Sequence, residues 1–172
     1  MKFLQIAIIL FSTNCFAQLK IDIDVHTRVK QNDKEVASVL EVYKNYLNNR
    51  PDSVQADNPY WCTSDKNKYQ DFDFTRGFIY DPIPIDYLSK WYRFVILSIE
   101  KEEDSYAIRT AIIAKDVTQP YLKEQNPWAI IRIYAIKENN NWKLKNAFDF
   151  KIKGWKTISE SNITYHFPSD IH

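Results

Sequence analysis

Glycine is scarce in this chain, with two residues among 172. Walker-type and dinucleotide-binding phosphate loops need several glycines within a short run, so the composition excludes both fingerprints. Cysteine is equally rare, and only Cys62 lies beyond residue 17, so no disulfide can form within that part of the chain. Cys62 follows Trp61 and has no histidine close to it in sequence, which favours a buried structural thiol over a nucleophile.

The chain has three histidines, and no two of them are spaced like the ligands of a zinc site on one helix or loop. No serine stands in a Gly-x-Ser-x-Gly turn, so a nucleophilic triad has no support either. Glu102, Glu103 and Asp104 are adjacent carboxylates, but they fall in a predicted turn, where solvation explains them. We therefore predict no catalytic residue, no metal site and no cofactor.

An excess of basic charge is also missing. The 23 basic residues without Lys2, which belongs to the N-terminal segment, equal the 22 acidic residues in number. Binding to nucleic acid needs a basic surplus or stripe that meets the phosphates, so we expect no nucleic-acid partner. Hydrophobic residues make up 45% and charged residues 26%, which are ordinary globular values, and the length suits one domain.

The segment from Met1 to Ala17 has the three parts of a secretory signal peptide. Lys2 supplies the positive end, residues 3–11 form a mostly apolar stretch, and Ala17 is the small residue before Gln18. The stretch is too short to span a bilayer, so we predict a cleaved signal and no transmembrane segment afterwards. A buried N-terminal helix is the less favoured alternative.

Cys15 allows a second interpretation, in which it is a lipidated first residue. The preceding residues 12–14 lack the aliphatic residue that such sites usually carry, so we favour the cleaved signal. Export with a single remaining cysteine suits a bacterial protein better than a eukaryotic secretory one. The expected localisation is secreted, periplasmic or at the cell surface.

Residues 18–31 are predicted to form an extended arm, because Leu19 to His26 alternates apolar and polar side chains. One side of this segment carries Asp22, Asp24 and His26, which are side chains that a metal accepts. The alternative is the solvated face of an edge strand, whose charges discourage aggregation. We favour the edge strand.

One helix is predicted from an apolar stripe that repeats at helical spacing. The stripe consists of Val36, Val39, Leu40, Tyr43 and Leu47. Asn32 together with Glu35 resembles a capping box at the start of this helix. The helix is expected to end at residues 48–51, because Pro51 cannot continue it.

After the helix the chain is predicted to become strand-rich. A short helix or ordered loop is expected around Pro59 to Tyr69, and residues 81–84, with two prolines, are expected to be extended. Four strands follow, at Trp91–Glu100, Ser105–Lys115, Trp128–Lys137 and Trp142–Lys151, with a loop at Gln119–Asn126. Two consecutive hairpins with polar turns make an antiparallel meander. Isoleucines at positions 130, 131, 133 and 136 lie on both parities, which predicts a central third strand covered on both faces.

A helix before a curved antiparallel sheet predicts an α+β roll in which the helix packs on the sheet. The last hairpin, Ile133 to Glu138 followed by Asn141-Trp142-Lys143-Leu144, is similar to the last hairpin of NTF2-like domains, the cystatin-like cone or SnoaL-like superfamily. The resemblance covers Asn32 to Lys153 and implies an NTF2-like α+β domain over residues 32–153. The family often has two or three N-terminal helices, and this chain shows one clearly.

Arg93, Arg109 and Arg132 each fall near the middle of a separate predicted strand, where a buried charge needs a partner. They could converge on an anionic ligand inside the cone, with Asp149 of the fourth strand as a partner. Alternatively, they lie on the outer face of the sheet, paired with carboxylates. The resemblance adds Tyr43, because NTF2-like enzymes often combine an Asp or His at the bottom of the cone with a tyrosine. No histidine lies on a predicted cone strand, which argues against an enzyme.

Large aromatic side chains are spread along the chain and could form stacking platforms for sugars or line a cavity. They are Trp61, Trp91, Trp128, Trp142 and Trp155, with the neighbouring Tyr60, Tyr92 and Tyr134. Core packing is the favoured role for any single one of them. Tyr134 is retained among the candidate ligand-binding residues.

Residues 154–172 exceed what an NTF2-like domain needs. The segment from Ile163 to Pro168 is expected to be either a capping strand or the entrance to a further domain, such as a secreted zinc peptidase. The chain itself contains no His-Glu-x-x-His motif, so it carries no peptidase chemistry of that kind.

Together these patterns favour an exported, non-catalytic module that binds a partner protein, a peptide or an adjoining domain. One alternative is a small-molecule-binding pocket protein or an enzyme of the same fold, using Tyr43, Arg93, Arg109, Arg132, Tyr134 and Asp149. The other is a surface carbohydrate binder that uses the tryptophans.

Overall fold

Five strands form one mixed sheet in the order β1-β2-β3-β4-β5, in a computed structural model that describes residues 21–49, 58–69, 72–73, 85–124 and 126–168. The strands are β1 Ile23–Val25, β2 Tyr92–Glu102, β3 Ser105–Ala114, β4 Ala129–Glu138 and β5 Asn141–Asn146. A separate hairpin consists of β6 Lys156–Glu160 and β7 Ile163–Phe167. The described helices are α1 Lys34–Asn48, α2 Thr63–Lys68, α3 Ile85–Trp91, α4 Pro120–Glu124 and α5 Phe148–Lys151. The predicted signal peptide, Cys15 and the extended residues 81–84 lie outside the described residues.

The predicted α+β class and the antiparallel meander of strands β2 to β5 are confirmed. Strand β1 pairs in parallel with β2, which makes the sheet mixed. The chain between these two strands contains α1, and such a crossover is what a parallel pair requires. Strand β1 lies at the edge of the sheet, as expected for a charged edge strand.

The two faces of the sheet carry different side chains. The helix face packs against α1 and contributes Phe94, Ile108, Ile133 and Leu144 to the core. The outer face, which points the other way, carries the side chains of Glu102, Arg109, Arg132 and Tyr134. A β-bulge between Ile96 and Ser98 places one extra residue, Leu97, in β2.

Helix α1 buries its apolar stripe on the helix face, as predicted. The buried side chains are those of Val36, Val39, Leu40, Tyr43 and Leu47, with Tyr46 in addition. The predicted cap at Asn32 is wrong, because Asp33 holds that position and its Oδ1 accepts the N–H groups of Glu35 at 2.8 Å and Val36 at 3.2 Å. The predicted stripe does not include Tyr46, because a tyrosine is buried only where its hydroxyl finds a hydrogen-bond partner. Here that partner is Asp73 Oδ1 at 2.6 Å.

Strand β3, and not β4, is the middle strand, and most of its side chains are buried on both faces of the sheet. The prediction that β4 is covered on both faces is wrong at Ile130, whose side chain is 62% exposed. The apolar run misled the prediction because β-branched residues such as isoleucine are enriched in strands, so their presence does not by itself show that a face is covered. The predicted loop at Gln119–Asn126 contains α4.

The fourth predicted strand ends at Asn146 and does not continue to Lys151. Asn146 is buried, and its Oδ1 accepts the N–H of Phe148 at 2.8 Å, which turns the chain into α5. Asp149 therefore lies on a short helix and not on a strand.

The segment before α2 covers the β5 edge of the sheet. The N–H of Cys62 donates to the carbonyl of Leu144 at 2.9 Å, and the N–H of Leu144 donates to the carbonyl of Tyr60 at 2.7 Å. The predicted short helix in this region is α2. Cys62 is fully buried, as predicted, and burial raises the pKa of its thiol while a contact with Ser64 partly opposes the shift.

The β6–β7 hairpin pairs with itself and adds no strand to the main sheet. The expectation of a capping strand for the main sheet is therefore not met. Among the described residues, no helix has the length and apolar character needed to cross a membrane.

Candidate functional site

Three of the six candidate ligand-binding residues come together on the outer face. Arg109 of β3 lies directly opposite Arg132 of β4, and Tyr134 is two residues further along β4 on the same face. Residues in such a cross-strand position have Cβ atoms about 5 Å apart, so the two arginine side chains start from adjacent positions on this face. We call Glu102, Arg109, Arg132, Tyr134 and Phe150 the outer-face cluster.

Glu102 reaches across β3 and binds both partners on β4. Its Oε1 accepts a hydrogen bond from Arg132 at 2.5 Å, and its Oε2 accepts one from the Tyr134 hydroxyl at 2.9 Å. Small side chains on the intervening strand, Ser105 and Ala107, leave room for this contact. The prediction that Glu102 is a solvated turn residue is therefore wrong, because its carboxylate is committed to the cluster.

Tyr134 contacts both an aromatic ring and a cation. Its ring stacks on Phe150 with centroids 3.7 Å apart and an interplanar angle of 11°. The Arg132 guanidinium lies 5.0 Å from the ring centroid. Burial raises the pKa of the Tyr134 hydroxyl, and so does its bond to Glu102, while Arg132 opposes the shift. The hydroxyl is therefore a hydrogen-bond donor at neutral pH.

Arg109 is the uncompensated charge of this cluster. It is exposed, and no carboxylate within the described part of the chain pairs with it. Arg132 is partly buried, and its Nε finds no hydrogen-bond acceptor among the described residues. The cluster thus holds two cations and one carboxylate, which of the two pairs with Arg132 alone, so a second anionic group beside Arg109 would offset the excess positive charge.

Arg93 lies on the same face but outside the cluster. Its Nη1 bonds Asp24 Oδ2 at 3.0 Å, and Asp22 pairs with Lys115. The ring of His26 accepts a local backbone hydrogen bond at Nδ1. The possible metal ligands Asp22, Asp24 and His26 thus each have a partner, and the described residues contain no group of three acidic, His or Cys side chains placed to hold a metal.

Tyr43 lies on the opposite side of the sheet from the arginines. It projects from α1 into the core, is fully buried, and has its ring centroid 6.0 Å from that of Tyr46. The sheet separates it from Arg109 and Arg132, so these residues do not form one pocket.

Asp149 is bound by three donors at the far edge of the sheet. Lys68 Nζ is 2.6 Å away, the Tyr69 hydroxyl 2.7 Å and Lys145 Nζ 3.0 Å. Burial alone would raise the pKa of this carboxyl, but the hydrogen bonds from Lys68, Tyr69 and Lys145 hold it well below its usual range. Asp149 is therefore ionised at neutral pH and joins α5 to α2 and β5.

A buried network beside Asp149 was not predicted from the sequence. Asp65 of α2 is fully buried, and its Oδ1 lies 2.6 Å from Lys145 Nζ. Its Oδ2 accepts two hydrogen bonds from Asn146, from the backbone N–H at 2.8 Å and from Nδ2 at 2.7 Å. No local pattern marks Asp65, because its partners lie about 80 residues away.

A cleft of about 400 Å³ opens where α1 meets the end of the sheet, and Glu35, Tyr106, Lys137 and Trp142 are among its lining residues. Glu35 accepts hydrogen bonds from Lys137 at 2.7 Å and from the Tyr106 hydroxyl at 3.0 Å. The bond from Lys137, followed by that from Tyr106, lowers the pKa of Glu35. Burial and the bond to Glu35 raise the pKa of Tyr106 to about 12. Glu35 and Lys137 therefore neutralise each other within this cleft.

The tryptophans do not share one surface. Trp61 is buried in the core, whereas Trp142 packs edge-on against Tyr106 with centroids 5.4 Å apart. Trp91 and Trp128 belong to an aromatic group at the start of β2, in which Tyr87 is partly exposed. Core packing is thus the role of Trp61.

The β6–β7 hairpin has one polar and one apolar side. Thr157 pairs with His166 and Ser159 with Thr164 on the polar side, and the His166 ring contacts Phe148 of α5 with centroids 6.0 Å apart. The other side, which we call the hairpin face, consists of Lys156, Ile158, Glu160, Ile163, Tyr165 and Phe167. Ile158, Ile163 and Tyr165 are 56%, 55% and 50% exposed. The hairpin thus meets α5 with its polar side and turns its apolar side to solvent.

Comparisons of the chain with models of protein families, with curated proteins and with solved structures found no match. Any function of the outer-face cluster or the hairpin face must therefore be inferred from geometry alone. Sequence patterns missed the roles of Glu102 and Phe150 in the cluster and of Asp65 in the buried network, and each of these residues is placed by a partner on a distant element.

Proposed function

We propose that this chain is an exported, non-catalytic NTF2-like module that docks a partner protein through the hairpin face. The observation that carries the proposal is the orientation of the hairpin, which contacts α5 with its polar side and exposes its apolar side. A hairpin that served only to pack on the domain would direct Ile158 and Tyr165 inward. Exposed contiguous apolar side chains of this kind are typical of protein interaction sites.

The exposed side chains are sufficient to drive binding. Burying an isoleucine or a comparable side chain fully is worth about 1.5–3 kcal/mol, so covering the exposed halves of Ile158, Ile163 and Tyr165 would contribute about 1 kcal/mol each. The strands also offer free backbone edges, because β6 and β7 pair only with each other in the described structure. A partner can therefore use both side-chain and main-chain contacts.

The non-catalytic part of the proposal is supported by the state of the charged groups. Asp65, Asp149 and Glu35 are each engaged by a lysine. A general acid or base needs a pKa near the working pH, whereas Asp149 and Glu35 are shifted to lower pKa values. Their arrangement is that of structural ion pairs.

Site-specific photocrosslinking in the producing cell tests the docking surface. A photoreactive phenylalanine analogue at Tyr165 should give a protein adduct that mass spectrometry identifies reproducibly. The same analogue at Ser159, on the polar side of the same hairpin, is the matched control and should give little of it. Equal adducts at both positions, or none at Tyr165, would refute docking through the hairpin face.

Export is tested separately by the mass of the protein recovered outside the cytoplasm. The support for export is the three-part layout of residues 1–17. A mature chain that begins at Gln18 is expected. An intact N-terminus in a chain retained in the cytoplasm would contradict export and leave the docking surface untouched.

A carboxylate-binding role for the outer-face cluster is the second candidate function. The specific observation is that Arg109 and Arg132 are cross-strand neighbours and that, of the two, Glu102 pairs with Arg132 alone. Citrate titrated into the protein should shift amide NMR signals around Arg109, and Arg109→Ala should abolish the shifts. Arg93→Ala is the matched control, because Arg93 lies on the same face but is already paired with Asp24. Equal responses of the two variants would exclude this role.

A further inference from the structure

We infer that the partner that covers the hairpin face is a second copy of this chain, bound in a two-fold symmetric, face-to-face arrangement. This inference rests on the proposed docking function and names its partner. It follows from the order of side chains along the hairpin face, which is self-complementary.

The apolar centre of the hairpin face is shared by the two strands. Ile158 of β6 and Tyr165 of β7 are directly opposite each other and form the middle row. Lys156 with Phe167 forms the row at one end, and Glu160 with Ile163 forms the row at the other. The face therefore carries one positive end, one apolar middle and one negative end along β6.

The two-fold axis of this arrangement lies in the plane between two such faces and runs perpendicular to the strands. It places each β6 over the β6 of the second copy, in the antiparallel direction. Ile158 then meets Ile158 of the second copy, and Tyr165 meets its equivalent. The interface is isologous, because one surface patch serves both copies. Two hairpins stacked about 10 Å apart make a small sandwich with an apolar interior.

The same axis brings opposite charges together twice. Lys156 of each copy lies against Glu160 of the other, at the two ends of the apolar centre. Neither Lys156 nor Glu160 has an ion-pair partner among the residues that the structure describes, so both are available. A two-fold axis parallel to the strands would instead place β6 over β7 of the second copy, with Lys156 against Phe167 and Glu160 against Ile163, so that neither charge would meet an opposite one. The charges thus select the antiparallel, two-fold arrangement.

The hairpin itself gains stability from this arrangement. A single two-stranded hairpin is marginal in water, and His166 of β7 meets the described part of the domain through its ring contact with Phe148. The face is smaller than the roughly 800 Å² per partner of a standard interface, so the dimer should be weak and concentration-dependent.

Sedimentation velocity of the purified chain lacking residues 1–17 tests the inference. The weight-average mass should rise from that of a monomer toward that of a dimer as the concentration increases. Lys156→Glu and Glu160→Lys should each stay monomeric, since each places like charges together twice. Lys123→Glu, an exposed lysine on α4, is the matched control and should dimerise like the unaltered chain.

A mixture of the two charge variants provides the decisive result. Lys156→Glu carries two acidic ends and Glu160→Lys two basic ends, so an equimolar mixture should form heterodimers although neither variant forms a homodimer. An unaltered chain that remains monomeric at every concentration overturns the inference. So does a mixture that stays monomeric while the unaltered chain dimerises.

The two proposals fail in different ways. An adduct at Tyr165 with a different protein, together with a monomeric purified chain, overturns the second-copy partner and leaves the docking function intact. The absence of any adduct at Tyr165 in a monomeric chain overturns both. An adduct between two copies of the chain supports both.

Discussion

Replacing Asp65 with alanine should lower the free energy of unfolding by about 3–4 kcal/mol. The carboxylate is fully buried and accepts from Lys145 at 2.6 Å and twice from Asn146, at 2.8 Å and 2.7 Å. The variant removes all three contacts and leaves the donors of Asn146 buried without an acceptor. Because these contacts join α2 to β5, their loss also weakens the cover over the β5 edge.

The magnitude follows from the burial of the pair. Breaking a buried ion pair by removing one partner costs about 3–5 kcal/mol, and leaving a buried donor unsatisfied costs about 1–3 kcal/mol. Lys145 keeps a second carboxylate, Asp149, at 3.0 Å, which compensates part of the loss. The expected effect is therefore at the lower end of the range for a broken buried ion pair, about 3–4 kcal/mol.

Urea-induced unfolding followed by tryptophan fluorescence measures this loss, and thermal unfolding should show a fall in Tm of about 10 °C. Asp24→Ala is the matched control, because Asp24 also pairs with one cation, Arg93 at 3.0 Å, but in an exposed position. The control should lose less than about 1 kcal/mol. A loss below about 1 kcal/mol in Asp65→Ala, or equal losses in both variants, would refute the assigned role of the network.

Three further measurements test other contacts. Asp149→Asn should flatten the dependence of stability on pH in the acid range. The folded pKa of Asp149 lies below its unfolded value of about 3.9, so the stability that its carboxylate contributes is full above pH 4 and is lost as the pH falls further. Acid titrations that superimpose for both proteins would contradict this. Asp33→Ala should cost about 1 kcal/mol in urea unfolding, because it removes the cap of α1, whereas Asn32→Ala should cost little. In a Cys15→Ser variant, Cys62 should react with a thiol reagent much more slowly in the folded chain than in urea. The reason is that Cys62 is fully buried and the pKa of its thiol is raised. Rapid labelling of the folded chain would show that the thiol is not buried.

The sequence predicted the elements whose pattern is local. The stripe from Val36 to Leu47 has helical period, and the hairpins of β2–β3 and β4–β5 have polar turns between apolar runs, so each could be recognised within a short window. The buried thiol at Cys62 followed from its apolar neighbour. These features need no knowledge of distant partners.

Features that depend on long-range pairing could not be predicted in the same way. Period-two alternation does not state which face of a strand is covered, so Arg109 and Arg132 could be placed on strands but not on a face. The end of β5 at Asn146 is decided by Asp65, which is 81 residues away in sequence. The cap at Asp33 was missed for a different reason, because Asn32 and Asp33 are both good caps and the backbone selects one of them.

Because Leu97 is an extra residue, β2 can tolerate the loss of one residue at this position, whereas the neighbouring strand β3 cannot. Ile96 pairs with Thr110 and Ser98 with Arg109, so the partners on β3 are already consecutive without Leu97. A chain shortened by that one residue would keep every cross-strand partner and every inward or outward orientation. Loss of one residue from the middle of β3, by contrast, would exchange the two sides of half that strand and turn arginine toward the core. Natural variation in length is therefore expected at one position of this hairpin and not at the other.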